Sequence, residues 1–268
     1  MSTLKRCMVN CPLSITLGIY TLSYALHLHT LPSDYVSALY LIIPFNLFFL
    51  LSLTSLMFTF FLSPGSIPEG FSPDILPEDS KVSYLSDFSE IDFSLSRLGF
   101  CKKCDLYRPP RCHHCSICEK CILRFEHHCP FVGNCIGLRN QKAFILFLMY
   151  STWALLILLI QTSIYIQSNN STLSIIALLL VAFTFLFIAG FWLSQLAMVF
   201  QNLTTLECSW SHRVFDTGSY ITNARQVFGT NFALWFVPCC TVKDGTQFPV
   251  RIRLKSVGYL IIENKFLI

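Results

Sequence analysis

Four long apolar stretches, separated by polar and charged segments, set the pattern of this chain. No Asp, Glu, Lys or Arg occurs between Arg6 and Asp34, between Asp34 and Glu69, or between Lys142 and Glu207. Because a helix needs about 20 apolar residues to cross a bilayer, the pattern predicts an α-helical polytopic membrane protein with four transmembrane helices. The predicted spans cover about 11–31, 38–62, 143–166 and 173–200, and the polar run 167–172 separates the last two.

The first predicted span is the least apolar of the four, since it contains His27, His29 and several Ser and Thr residues. A cleaved signal peptide is the alternative interpretation of this stretch. Signal peptides have a shorter apolar core, of about 7–15 residues, followed by a cleavage site of small residues. The stretch here is longer and contains no evident site of that kind, so a membrane span is favoured.

The composition agrees with a membrane protein and adds a cysteine cluster. Hydrophobic residues make up 53% of the 268 residues and charged residues make up 13%, about half of the roughly 25% that is usual in soluble domains. Of the 13 cysteines, eight lie between Cys101 and Cys135, with histidines among them. The chain is too long and too apolar for a small disulfide-stapled secreted domain, so this cluster indicates a metal site.

Basic residues divide the connecting segments into two classes. Segments 1–10, 63–142 and 201–268 carry 2, 10 and 7 Lys and Arg residues, which are all 19 in the chain, whereas 32–37 and 167–172 carry none. Basic segments stay on the cytosolic side of a membrane. Both termini and the cysteine-rich loop are therefore predicted to be cytosolic. The charge pattern does not determine the organelle, for which an endomembrane (ER or Golgi) is favoured over the plasma membrane. Cytosolic thiols are kept reduced, which favours metal binding or catalysis over disulfides.

The large cytosolic loop has two parts of different composition. Residues 63–99 contain four prolines and seven acidic residues, which predicts an extended linker, whereas 100–142 hold the cysteines and histidines in a compact module. DNA binding is disfavoured because this module is tethered between two spans. The tail contains two candidate strands, Gln247–Leu254 and Val257–Ile262. The predicted domains are thus 1–62 with helices 1 and 2, 63–99, 100–142, 143–200 with helices 3 and 4, and 201–268.

The cysteine-rich module contains the spacing Cys-x2-Cys-x9-His-x6-Cys twice, with interleaved copies that begin at Cys101 and at Cys115. Three thiolates and one imidazole form the closed tetrahedral shell of a structural zinc ion, and thiolate ligands favour zinc over calcium or magnesium. We expect two zinc ions, which supply most of the folding energy of so small a module. The first ligand set is Cys101, Cys104, His114 and Cys121, and the second is Cys115, Cys118, His128 and Cys135.

The second ligand set is the first set moved 14 residues along the chain. A further move of 14 residues from Cys115 reaches Cys129, but the same move from Cys118 reaches Val132, so a third site cannot form. Cys129 is therefore a cysteine outside both metal shells. Because His128 serves the second set, His127 is not needed as a ligand, and it stands two positions before Cys129.

Cys129 has the neighbours of an activated nucleophile. His127 can act as a base and lower the thiol pKa, and Glu126 offers a carboxylate that orients this base. The alternative, an inert cysteine or an imperfect third metal ligand, fits the spacing about equally well. The position of Cys129, shortly before the third span, favours the nucleophile. A thiol at the lipid boundary suits a substrate with one polar and one lipid end, such as a fatty acyl-CoA.

The motifs of the chain combine into a family pattern. The module contains Cys101-x2-Cys104, Arg108-Pro109-Pro110-Arg111, His113-His114-Cys115, Cys118, Cys121, Glu126-His127-His128-Cys129-Pro130, Asn134-Cys135 and Gly137. With this run the chain resembles the DHHC protein S-acyltransferases, the palmitoyltransferases. Thr204-Thr205-Leu206-Glu207 is similar to the TTxE motif of that family, Ser63-Pro64-Gly65 to its Asp-Pro-Gly motif, and Asn223–Gly229 to its tail segment. Four spans with the cysteine-rich loop between the second and third are its architecture.

Two positions of the catalytic run depart from the family pattern. The signature Asp of the family is Glu126 here, and the added methylene moves the carboxylate by about 1 Å or more, a displacement that can cost catalysis about a hundredfold. The usual Trp after Cys-Pro is Phe131, which keeps an aromatic ring but loses the indole N–H donor.

The resemblance implies a two-step acyl transfer. Cys129 attacks the thioester of a fatty acyl-CoA, His127 acts as the base, and Glu126 orients and stabilises the imidazolium. The acyl group then passes to a cysteine of a membrane-associated protein, with the lipid bilayer as the third partner and no nucleic acid. An inactive zinc-stabilised membrane adaptor with the same fold is the main alternative, and a membrane-anchored ubiquitin-ligase-like zinc module is disfavoured by the interleaved repeat.

Several further residues receive expected roles from the resemblance. The acyl chain is expected between the spans, with Phe131, Phe144 and Phe147 as candidate wall residues, although ordinary helix packing explains the last two as well. By the resemblance, Thr204, Thr205 and Glu207 are expected to contact the catalytic loop, although by composition alone they are only a helix-capping signal. Asn223 is expected to belong to the same supporting motifs. Candidates to meet CoA phosphates or anionic lipids are Arg108, Arg111, Lys120, Arg124, Arg139 and Lys142. Cys112 is expected to be a bystander. Of the cysteines outside the module, Cys7, Cys11, Cys239 and Cys240 are either acylated themselves or inert, and the inert state is favoured.

The basic-residue pattern predicts the topology of the chain. In sealed vesicles with the cytosolic side outward, a tag at either terminus should be removed by added protease, because both termini lie on the side that carries all 19 basic residues. Immunoblotting for each tag checks this result. A tag that is digested only after detergent is added would contradict the topology.

Overall fold

A computed structural model of the protein describes residues 3–71, 99–209, 213, 215–239, 250–254 and 258–262. The described chain forms two compact units. The first unit contains most of the long helices, as residues up to 61 and 143–196, together with Pro130–Gly133. The second contains 62–129, 134–142 and the chain from 197 onward, and so includes the first two residues of the helix that starts at Gln141. The predicted acidic linker, 63–99, falls mostly on residues outside the described ranges.

The first unit is built from four long helices. Three of them are long and apolar enough to cross a membrane, namely α2, α3 and α4. The first predicted span lies on α1, a helix that is not among these three, so a fourth span stays a prediction. The helices are α1 (Thr3–His29), α2 (Tyr35–Phe61), α3 (Gln141–Ser168) and α4 (Thr172–Phe200).

Polar residues in the short connecting segments start two of these helices. The Asp34 carboxylate accepts a hydrogen bond from the Ser37 N–H (2.8 Å) at the start of α2. The Ser171 hydroxyl oxygen accepts one from the Ser174 N–H (3.1 Å) at the start of α4. Such caps satisfy N–H groups of the first turn that have no partner within the helix. The polar breaks in the sequence therefore act as helix starts.

Polar side chains inside the helical unit pair with one another. The ring nitrogen Nδ1 of His27 lies 2.8 Å from Gln161 Oε1, and Gln161 Nε2 donates to the His27 carbonyl (2.6 Å). The hydroxyl groups of Tyr20, Ser52 and Ser151 form a second cluster that joins α1, α2 and α3. Polar groups in apolar surroundings are satisfied by such contacts between helices, and in this way Tyr20 and His27 of α1 each have a partner on a neighbouring helix.

The second unit contains three two-stranded antiparallel hairpins that follow one another at a constant interval. The strands are β1 (Gly99–Cys101) with β2 (Leu106–Arg108), β3 (His113–Cys115) with β4 (Lys120–Ile122), and β5 (His127–Cys129) with β6 (Asn134–Ile136). The register repeats as well, since the paired residues are Cys101 with Leu106, Cys115 with Lys120, and Cys129 with Asn134. The repeat in the sequence is therefore also a repeat of the backbone.

Close backbone contacts join the second and third hairpins to the segment after α2. The Leu123 N–H donates to the carbonyl of Gly65 (3.1 Å), whose φ of 105° lies in the left-handed region that favours glycine. A Cβ atom on Gly137 would lie 2.7 Å from Ile122 Cγ2 and 2.9 Å from the carbonyl oxygens of Leu123 and Pro64. Glycine is thus the only residue type that fits this crossing without a shift of the neighbouring atoms.

The tail continues the second unit. A short 3-10 turn, Glu207–Ser209, follows α4, and α5 (Tyr220–Phe228) comes next. Gly229, with a φ of 87°, ends α5. Strand β7 (Val250–Leu254) pairs with β8 (Gly258–Ile262) in antiparallel register. These strands overlap the two predicted ones, and the extra predicted residues, 247–249 and 257, lie outside the described ranges.

The crossing at Gly137 gives a stability prediction. Gly137→Ala should lower the free energy of unfolding by about 1–3 kcal/mol, because the new methyl group would overlap two carbonyl oxygens and a side chain. Gly190→Ala is the matched control, since its methyl group would meet no atom within 4 Å. Thermal unfolding of the detergent-solubilised protein measures both. An equal midpoint for Gly137→Ala and the parent would contradict the crossing.

Candidate functional site

Two clusters of cysteine and histidine side chains lie in the hairpins. In each cluster the four ligand atoms lie within 4.8 Å of one another. The first cluster is Cys101, Cys104, His114 and Cys121, and the second is Cys115, Cys118, His128 and Cys135. The structure thus brings together the same two sets of residues that the spacing predicted.

The distances in both clusters fit a tetrahedral metal ion. His114 Nδ1 lies 3.2–4.0 Å from the three sulfur atoms of the first cluster. His128 Nδ1 lies 3.4–3.8 Å from the three sulfur atoms of the second. A zinc ion with bonds of about 2.3 Å to sulfur and about 2.1 Å to nitrogen holds these atoms about 3.6 Å apart. The donor set and the spacing therefore fit zinc in both clusters.

The turn of the third hairpin has the shape of a metal-binding turn without its second cysteine. At the same position of each turn φ is positive: 54° at Asp105, 55° at Glu119 and 73° at Gly133. In the third turn Val132, which is fully buried, takes the place of the second cysteine. Cys129 holds the first cysteine position, and it belongs to neither metal cluster of the described chain. The third hairpin therefore presents a thiol that the two ligand sets do not use.

Strand β5 separates this thiol from the second cluster. Successive side chains of a strand alternate between its faces, so His127 and Cys129 share one face and His128 lies on the other, with its cluster. Cys129 is buried and His127 is half-buried. Burial, and to a smaller extent the charge of His128, lowers the pKa of His127 to about 4. The imidazole of His127 is therefore neutral at neutral pH, and the same burial makes it a weaker base because it disfavours the imidazolium.

Glu126 is buried directly before β5, where its N–H donates to the Ile136 carbonyl (2.9 Å). Its Oε2 accepts hydrogen bonds from the N–H and the hydroxyl group of Thr205, each 2.9 Å long. Its Oε1 accepts one from Gln141 Nε2 (2.6 Å). Burial raises the pKa of Glu126, and the charge of Arg124 and the bonds from Thr205 oppose this rise. Both oxygens of the Glu126 carboxyl group therefore have hydrogen-bond donors, Thr205 on Oε2 and Gln141 on Oε1.

A buried ion pair fixes the segment 204–207 that supplies Thr205. Arg111 donates two parallel hydrogen bonds of 2.8 Å to the Glu207 carboxylate, and it also donates to the side chain (3.0 Å) and the carbonyl (2.9 Å) of Asn202. Burial alone would raise the pKa of Glu207, but the Arg111 guanidinium holds the pKa of this carboxyl below its usual value. Paired hydrogen bonds of this kind fix orientation as well as distance.

Arg124 is a second buried guanidinium beside this ion pair. It donates from Nη2 to Asn202 Oδ1 (3.1 Å), and burial lowers its pKa to about 9. Two buried cations thus accompany the buried carboxyl groups of Glu126 and Glu207. Sequence reasoning missed this network, because the spacing of Arg111 and Arg124 is equally compatible with a solvent-exposed position.

The structure reduces the set of basic residues available to phosphate groups. Arg111, Arg124 and Lys142 are buried, and the Lys142 ammonium donates to the Leu234 carbonyl (2.7 Å). These three residues were expected among the candidates for CoA or lipid contacts, but their charges face internal partners. Of the other three, Lys120 and Arg139 are exposed and Arg108 is partly exposed.

The expected acyl-chain residues lie in the helical unit. Phe144 and Phe147 are buried on α3 with ring centroids 6.3 Å apart, and Phe144 also packs edge-on against Phe191 at 6.0 Å. Phe131 is exposed, and its carbonyl accepts a hydrogen bond from the Thr16 hydroxyl (2.8 Å). The first two residues thus have the ordinary packing partners that the alternative interpretation predicted.

Asn223 connects the tail to the end of α4. Its Nδ2 donates to the Phe200 carbonyl (2.8 Å), and its Oδ1 accepts from the N–H and hydroxyl groups of Thr217 (3.0 and 2.8 Å).

Cys112 is buried outside both clusters, and burial raises the pKa of its thiol to about 12. Cys239 is half-buried, and its sulfur lies 3.3 Å from Lys142 Nζ. The side chains of Cys7 and Cys11, and all of Cys240, lie outside the described residues.

Comparison with known proteins connects this site to a family. A sequence model described as DHHC palmitoyltransferase matches residues 95–211. The probable protein S-acyltransferase 13 of Arabidopsis thaliana is 33% identical over 225 residues, which are 75% of this chain and 74% of that protein. Palmitoyltransferase ZDHHC15 of Rattus norvegicus is 37% identical over 191 residues, 62% of this chain and 54% of that protein. Palmitoyltransferase PFA3 of Saccharomyces cerevisiae is 33% identical over 220 residues, 67% and 65% of the two chains.

The two clusters predict a metal content that substitution can separate. Cys121→Ser and Cys135→Ser should each remove about one of two zinc ions per chain and impair folding, because each takes a thiolate from a closed four-ligand shell. Cys112→Ser is the control and should keep both ions. Elemental analysis of the purified proteins measures the ratio. A parent that carries one zinc ion or none would contradict the assignment.

Proposed function

The chain belongs to the DHHC palmitoyltransferase family, and we propose that it moves a long-chain fatty acyl group, palmitoyl, from acyl-CoA through an acyl-Cys129 intermediate to cysteines of membrane-associated proteins. One observation carries the assignment of Cys129. The thiol occupies a ligand position of the hairpin repeat, but Val132 replaces its partner cysteine. A repeat that keeps one ligand position and loses the next supports a chemical role for the thiol rather than a metal site.

In the proposed reaction, the Cys129 sulfur attacks the carbonyl carbon of the acyl-CoA thioester. His127 takes the proton from the thiol, a new carbon–sulfur bond forms, the bond to the CoA sulfur breaks, and the departing CoA thiolate takes up the proton and leaves as the CoA thiol. A thiol of the protein substrate then attacks acyl-Cys129, and the Cys129 sulfur leaves. Thioester is exchanged for thioester in both steps, so the reaction needs no further energy source. Burial disfavours the imidazolium of His127, so the proposed role as the base requires a nearby negative charge that stabilises this cation.

Glu126 supports the reaction as the carboxylate next to this base. A negative charge beside an imidazole stabilises the imidazolium that forms when the thiol loses its proton. The three hydrogen bonds that hold Glu126 in place keep that charge at a fixed position. The inactive-adaptor alternative depends on the presence of Glu rather than Asp at this position, and a carboxylate with full hydrogen-bond support does not favour it.

The remaining parts of the proposal follow from the sequence pattern. Zinc bound to the two clusters would supply structural cross-links between the hairpins. The termini and the cysteine-rich module face the cytosol of an ER or Golgi membrane, where acyl-CoA and proteins with juxtamembrane cysteines are available. Phe131, Phe144 and Phe147 remain the candidate contacts for the acyl chain. Burial of the chain contributes about 0.8 kcal/mol of binding free energy for each methylene group.

The acyl-enzyme intermediate gives the decisive test. Purified protein incubated with an alkyne-bearing palmitoyl-CoA should become labelled, hydroxylamine should remove the label from its thioester, and Cys129→Ser should abolish it. Glu126→Gln should slow labelling by about a hundredfold, because it removes the charge beside His127. In-gel fluorescence after dye coupling measures the rate.

The controls separate chemistry from folding. Both variants should retain two zinc ions, because neither Cys129 nor Glu126 belongs to a metal cluster. Labelling of Cys129→Ser at the rate of the parent would overturn the intermediate. A Glu126→Gln variant as fast as the parent would show that the carboxylate has no part in the reaction.

A further inference from the structure

Gln141, the first residue of α3, directs its side chain to the carboxylate of Glu126, the residue directly before β5. It is 2% exposed, and its Nε2 lies 2.6 Å from Glu126 Oε1. Its N–H donates to the Gly137 carbonyl (3.0 Å), which fixes the backbone from which the side chain starts. A short hydrogen bond to an ionised acceptor in a buried site is among the stronger ones in proteins.

The two carboxylate oxygens of Glu126 have different partners. Thr205 supplies two donors to Oε2, and Gln141 supplies the donor to Oε1. The backbone of Glu126 is also fixed, because its N–H donates to Ile136. With the main chain and both oxygens held, the side chain must have the length of glutamate to reach its two partners. An aspartate on the same backbone would end about 1 Å or more short of them.

The hydrogen bond to Glu126 determines the orientation of the Gln141 amide group. A carboxylate accepts hydrogen bonds only, so the amide must turn its nitrogen toward Glu126. Its Oε1 is then buried, and among the described residues no group donates to it. Buried polar atoms without partners are uncommon and call for a functional explanation. A glutamine that served packing alone would not keep this arrangement.

We propose that Gln141 is a positioning residue for acyl transfer, which holds the Glu126 carboxylate directly before the catalytic strand, so that Glu126 and Gln141 work as one pair. The inference rests on the proposed function of Cys129. In this pair the amide accommodates the extra methylene of Glu126, and the start of a membrane-spanning helix is thereby connected to the catalytic strand. Residues that orient a reacting group through a hydrogen bond commonly change rates by about 10–100-fold.

A double-mutant cycle tests the pair. Gln141→Met keeps the length of the side chain and removes its donor, and Glu126→Asp keeps the charge and shortens the reach. Each single variant should slow autoacylation by about tenfold, and the double variant should be slowed little further, because a shortened carboxylate has already lost the contact. Independent residues would instead give about a hundredfold loss.

Two further readouts separate positioning from a structural role. The rate at saturating palmitoyl-CoA should fall in Gln141→Met, while the concentration of palmitoyl-CoA for half-maximal rate stays the same and both zinc ions are retained. Gln161→Leu is the matched control, since Gln161 is an equally buried glutamine of α3 whose amide bonds to His27. It should acylate at the rate of the parent. If Gln141→Met fails to retain two zinc ions, Gln141→Leu takes its place in the cycle.

The outcomes are distinct. Gln141→Met as fast as the parent, or an additive cycle, would overturn the inference while the parent still acylates Cys129. A parent without Cys129-dependent labelling would overturn the proposed function and this inference together.

Discussion

In an extended strand, successive side chains point to opposite faces, and this alternation organises the whole cysteine-rich module. In β3 it sends His114 to the first metal cluster and Cys115 to the second. In β5 it sends His128 to the second cluster, while the next residue, Cys129, points where a third cluster would lie. Because Val132 replaces the cysteine that such a cluster needs, Cys129 keeps the position of a ligand but belongs to neither ligand set of the described chain.

The same alternation places His127 on the face of Cys129. Two side chains that are two residues apart on one strand lie on the same face, because the strand backbone alone determines their direction. What the strand cannot supply is the charge that stabilises the imidazolium. Glu126, which precedes the strand, is the carboxylate proposed to supply that charge, and its position depends on distant partners in the tail and in α3.

Buried charge in the second unit is supported by a network rather than by single contacts. Arg111 and Arg124 accompany Glu126 and Glu207, and Asn202 bonds to both guanidinium groups. Removing one member of such a network leaves an uncompensated buried charge, which is more costly than the pair is favourable. The segment 204–207 is therefore tied to the module by charge, and Thr205 reaches Glu126 from a fixed position.

Local spacing in the sequence was sufficient to predict the two ligand sets, the place of Cys129 outside them and the family, because each depends on residues close together in the chain. Three of the apolar spans were also predictable, because each depends only on the length of an apolar run. The first span stayed undecided, since the polar residues of α1, His27 among them, have partners on other helices that composition does not reveal. Tertiary structure alone decided that Arg111, Arg124 and Lys142 face inward, that Gln141 contacts Glu126, and that Glu126 is the residue of the catalytic loop to which Thr205 bonds. These partners lie 15 and 79 residues away from Glu126 in the chain, and no local periodicity encodes a contact that only the packed hairpins and tail bring about.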